Sequence, residues 1–139
     1  MTRRGFTLIE TLACVALMGI VARAGVTATT SLMTALRVGA STRTLAQAMR
    51  ETRARAMAEG QPLDVTFDAA TGRWRIELID GTVRRTTWLA SPVRFVGLPA
   101  SARIRFGSTG TAENGTIALG VTAPVMRIVV NQRGRVRLG

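Results

Sequence analysis

At 139 residues the chain has room for one domain of ordinary size, less once an apolar segment near its start is set aside. Its 19 basic residues are all arginine and stand against eight acids, a net charge of +11 that favours polyanionic partners: nucleic acid, anionic lipid or an acidic protein face. With no histidine and a single cysteine, the chain has no imidazole metal ligand, no Ser-His or Cys-His dyad and no internal disulfide.

The first element is the run Phe6–Ala22, apolar except for Thr7, Thr11, Cys14 and Glu10 and preceded by Arg3, Arg4 and Gly5. As a helix it is roughly 25 Å long, just short of a bilayer core, and Arg23 can extend it by reaching to the headgroups. A transmembrane segment over 6–24 is therefore expected. A cleaved secretory signal and a buried core helix are the alternatives, the first opposed by Glu10 and the second by the basic flank. A carboxylate inside lipid costs several kcal/mol unless paired, so Glu10 is the first candidate functional residue. Cys14 is expected to pack as a small apolar side chain.

From Gly25 to Glu59 there is no proline and only Gly39 interrupts a helical composition. Leu45, Met49, Thr52 and Ala56 share one face, with Arg43, Gln47 and Arg50 opposite and Arg53 at the margin. Gly60, then Pro62, is a stop signal. One long helix from about Phe6 to Glu59 is predicted, on the order of 80 Å, with an amphipathic second half over 25–60.

Residues 61–139 read as strands and turns. Leu63–Phe67 is followed by the turn Asp68–Gly72, and Arg73–Ile79 alternates with Trp74, Ile76 and Leu78 on one side. Asp80-Gly81 is a hairpin turn leading to a strand over Thr82–Leu89. Shorter strands are expected at Val93–Val96, Arg103–Phe106, Thr116–Leu119, Val125–Val130 and Arg135–Leu138, with Gly107–Gly115 as loop and Asn131–Gly134 as turn. One helix followed by antiparallel strands gives an α+β class. Trp74 reads as core and Trp88 is left open. The acids are scattered, Asp64 and Asp68 read as structural, and Ser108-Thr109-Gly110 lacks the lysine of a phosphate-binding loop, so no catalytic constellation and no cofactor are expected.

Arg3-Arg4-Gly5-Phe6-Thr7-Leu8-Ile9-Glu10, at the head of a long apolar helix, resembles the processing signal of type IV pilins and type II secretion pseudopilins. Phe106–Thr111, Thr116–Leu119 and Ile128–Arg137 are similar to the H-type minor pseudopilin and FimT-like group. The resemblance implies a type IV pilin-like fold, a long helix packed on an antiparallel β-rich head. It implies a leader over 1–5, cleavage between Gly5 and Phe6 by the prepilin peptidase, and methylation of the new amino terminus at Phe6. Glu10 becomes the fifth mature residue, pairing in the filament with the amine of a neighbouring subunit. The implied partners are other minor and major pilins or pseudopilins and the inner-membrane lipid, with the head in the periplasm. The chain departs from the common pilin pattern in lacking paired cysteines near its carboxy terminus and in carrying Arg23 early in the apolar stretch.

Arg133, Arg135 and Arg137 alternate, so in an extended segment they project to one side and can track successive phosphates. In FimT-like DNA-uptake pilins a Gly-Arg-x-Arg motif near this position is associated with DNA binding, and Gly134-Arg135-Val136-Arg137 fits it. DNA is thus the alternative partner, and a charged, solvated strand edge the structural one.

Overall fold

The computed structural model describes residues 7–121 and 125–139, with backbone alone at 24–28. Gly5 and Phe6, the expected cleavage site, lie outside the described residues. The chain divides into two compact units, Met1–Met33 and Thr34–Gly139.

Helix α1 runs Leu8–Glu59. Thr7 stands at its N-cap, its carbonyl accepting from the amides of Glu10 and Thr11 at 3.1 and 3.2 Å. In the first unit Leu8, Ile9, Leu12, Leu17, Met18 and Val21 all stand exposed, at every angle round the helix. Cys14, expected to pack, is exposed with them. Among the described residues no helix is long and apolar enough to cross a membrane. The span expected over 6–24 starts at a residue outside the description and ends among residues described by backbone alone.

In the second unit the helix becomes one-sided. Val38, Thr42, Leu45, Met49, Thr52 and Ala56 are fully buried, at the alternating four- and three-residue steps of one helical face. The two buried hydroxyls satisfy themselves locally, Thr42 Oγ1 donating to the Val38 carbonyl at 2.7 Å and Thr52 Oγ1 to that of Ala48 at 2.8 Å. Gly60 follows the helix at φ +66°, the left-handed position that ends many helices.

Among the described residues eight strands follow: β1 Leu63–Asp68, β2 Arg73–Leu78, β3 Val83–Trp88, β4 Arg94–Gly97, β5 Arg103–Phe106, β6 Gly115–Gly120, β7 Met126–Val130 and β8 Val136–Leu138. They form two antiparallel four-stranded sheets, ordered β3-β2-β1-β5 and β4-β6-β7-β8. The β1–β2 turn is built by Asp68, whose carboxylate accepts from the Ala70 and Thr71 amides, the Thr71 hydroxyl and Arg73. Those bonds, the Thr71 hydroxyl's first, hold its carboxyl below the usual range. Trp74 and Ile76 alternate into the core from β2, Val65 and Phe67 from β1, and Ile104 and Phe106 from β5. From the second sheet come Phe95, Ile117, Leu119, Ile128, Val130 and Val136. Trp88 stands exposed, while Arg85 lies 5.6 Å over the ring of Trp74.

Candidate functional site

At the amino-terminal end, Thr7 at the N-cap and Glu10 at the third helical position have the spacing of a capping box. A glutamate there also faces the positive end of the helix dipole. Glu10 thus has a local reason to sit where it does, beside the assembly role that the resemblance implies. Its exposed apolar neighbours Leu8, Ile9 and Leu12 provide no cation of their own.

The carboxy-terminal arginines sit on a tight hairpin. Gly134 N donates to the Asn131 carbonyl at 2.8 Å, and Asn131 N to the Arg135 carbonyl at 3.2 Å. The Asn131 side chain accepts from Arg135 N at 3.0 Å. With Gly134 at φ +70°, this is a turn closed by a glycine bulge. The bulge interrupts the extended backbone that a comb of three arginines assumes. Arg133 lies in the turn, Arg135 at the bulge, and Arg137 alone within β8. All three are exposed, with Gly134 and Val136 buried between them, and the turn and bulge leave only Arg137 within a strand. Alternation puts side chains on one side only while the backbone stays extended, and the left-handed glycine ends that condition.

What the bulge assembles instead was not legible from spacing. Arg135 and Arg137 share an open groove of about 400 Å³ with Arg50 and Arg53 of α1, Gly134 and Val136. Arg50 donates to the Val136 carbonyl at 3.1 Å, capping the outer edge of β8. Arg53 Nε donates to the Gly110 carbonyl at 2.8 Å. A Cβ on Gly134 would collide with that same carbonyl and with the Arg53 side chain. Gly134 is therefore the seat on which the Gly110 loop and Arg53 rest, which is a structural task. Arg133 and Arg135 face a second groove of about 380 Å³ with Asn114, Asn131 and Gln132. No carboxylate lines either groove.

A two-armed, largely buried ion pair lies elsewhere. Asp64 on β1, directly across from Arg105 on β5, accepts both arms of that guanidinium at 2.7 and 2.8 Å, with Arg103 at 3.6 Å. Its side chain is 6 % exposed. The hydrogen bond from Arg105 to Asp64 holds the guanidinium pKa above its ordinary value. Among the described residues no cluster of three His, Cys, Asp or Glu side chains gathers to hold a metal.

Residues 41–134 match the family of the type II transport protein GspH, and residues 1–22 match the prokaryotic N-terminal methylation motif. The chain belongs to the GspH family. It is a minor pseudopilin or pilin of the type IV pilin-like class, a filament subunit. The minor pseudopilin EpsH of the Vibrio cholerae type 2 secretion system is similar over 74% of this chain and 96% of its own, at 19% identity and a TM-score of 0.61. The type IV minor pilin FimU of Pseudomonas aeruginosa is similar over 73% of this chain and 87% of its own, at 17% identity and a TM-score of 0.61. At such identities the two structures speak for the fold. No curated protein matches the chain. The GspH match includes Gly134 and stops short of Arg135 and Arg137.

Proposed function

We propose that this GspH-family subunit serves a type II secretion pseudopilus. It is made in the inner membrane with its head in the periplasm, cut after Gly5 by the prepilin peptidase, methylated at Phe6, and built in beside other minor and major pseudopilins. Its work is structural and assembly-related, not catalytic. The observation that carries the reading is the apolar surface of α1, exposed on all sides from Leu8 to Val21. A helix apolar all round requires lipid or other helices as its environment, and a filament subunit meets both in turn.

Glu10 tests it. Glu10→Ala and Glu10→Leu remove a polar group from the apolar run, so membrane insertion is expected to persist. Incorporation, read by crosslinking and co-purification with the other pseudopilins, is expected to fall. Glu10→Gln separates the two roles: glutamine serves in a capping box but carries no charge for a neighbour's amine. The proposal expects Glu10→Gln to assemble as poorly as Glu10→Ala. Wild-type assembly of Glu10→Gln would leave Glu10 a cap and nothing more.

A DNA-binding minor pilin is the second reading, favoured by the carboxylate-free groove that Arg50, Arg135 and Arg137 share. If Arg135 and Arg137 each neutralise a phosphate, replacing both by glutamine lowers the slope of log affinity against log salt by about two. Arg43 and Arg55, also exposed, are the control pair. Equal losses from both pairs would mean a diffuse positive surface without a site.

A further inference from the structure

The outer face of the second sheet is acid-free. Strands β4, β6, β7 and β8 contain no Asp or Glu, and none occurs anywhere after Glu113. The residues pointing away from the core are set by the register. Thr116, Val129 and Arg137 stand in one row across β6, β7 and β8, and Ala118 and Arg127 in the next. Arg94 and Val96 extend the face on β4, both exposed. At about 4.8 Å between strands the face is roughly 14 Å wide. Its centre is small and apolar, with Val129 41% exposed, and guanidinium groups stand on both sides. An apolar centre with arginine around it is the composition of a protein-binding patch.

We infer that this face docks an acidic surface on a different protein subunit, which rests on the filament reading for where that subunit is met. A second copy of this chain does not fit. Five of its eight acids already pair with its own arginines: Glu51 with Arg85, Glu59 with Arg84, Asp64 with Arg105, Asp68 with Arg73 and Glu77 with Arg75. Asp80 accepts from the Thr82 amide in its own turn at 2.8 Å. Two copies, each with about twice as many arginines as acids, also repel. Nucleic acid fits this face less well than a protein, since its centre is apolar and offers no aromatic ring for stacking. The partner is a chain with a surplus of exposed Asp and Glu around an apolar spot.

The test uses the full chain in its own cells, with a photoreactive benzoylphenylalanine in place of Val129 and, in a separate strain, of Leu12. The expected result at position 129 is an adduct with a different subunit of acidic net charge, identified by mass. Arg127→Glu with Arg137→Glu is expected to cut its yield more than about tenfold, because like charges across an interface repel. Arg127→Lys with Arg137→Lys keeps the charge and is expected to keep the adduct, which controls for folding. An adduct with a second copy, an adduct with DNA, or an acidic adduct indifferent to charge reversal overturns the inference. Adducts to pseudopilins at position 12 with none at 129 overturn the docking face and leave the filament reading standing. Absence at both positions overturns both.

Discussion

Gly134→Ala is expected to destabilise the second unit by about 2–5 kcal/mol. The left-handed backbone contributes about 1–2 kcal/mol for any residue with a Cβ, and forced overlap in a packed site about 1–3 kcal/mol. The overlap is hard to relieve because the first group met is the Gly110 carbonyl, a backbone atom that already accepts from Arg53. Gly60 is the comparison. It too has positive φ, +66°, but a Cβ there meets nothing within 4 Å. Gly60→Ala is therefore expected to cost only the backbone share, about 1–2 kcal/mol. Denaturant midpoints of the detergent-solubilised full chain give both values. Equal losses would show that the Gly110 loop yields, and that Gly134 is needed for its turn alone.

Arg105→Met is expected to cost about 2–4 kcal/mol. It leaves the Asp64 carboxylate inside the first sheet with Arg103 alone, at 3.6 Å and without the two-armed geometry. Stranding one member of a fully buried pair costs about 3–5 kcal/mol. The figure is lower here because Arg103 remains and the Arg105 side chain is 32 % exposed. Arg105→Lys restores charge without the fork and is expected to fall between. In a chain already carrying Asp64→Asn, Arg105→Met is expected to cost less than about 1 kcal/mol, since the stranded charge is gone. Additive losses in that cycle would mean that Arg105 acts through packing.

The elements were legible where periodicity carried them. The buried face through Leu45, Met49, Thr52 and Ala56 follows helical spacing, and Trp74 and Ile76 follow strand alternation. The helix stop at Gly60 and the turns at Asp68 and Asp80 are local chemistry, readable from a few letters. The division into two sheets was not legible, because β5 pairs with β1 and β4 with β6, across long stretches of intervening chain. For the same reason the sequence placed Arg133, Arg135 and Arg137 together and missed Arg50 and Arg53. Letter spacing assumes an extended backbone, and the bulge at Gly134 removes that assumption while bringing α1 alongside. Glu10 and the apolar run were visible because a carboxylate among apolar residues is costly wherever the chain goes.

The pseudopilin reading is tested most directly by the intact mass of the protein extracted from membranes. The account predicts a mature chain beginning at Phe6 with one methyl group added to its amino terminus, and accumulation of the unprocessed chain when Gly5 is replaced by alanine. A mature chain beginning after Ala24, as a conventional signal peptidase would leave it, would contradict the account, because that cut removes Glu10 and the apolar helix together.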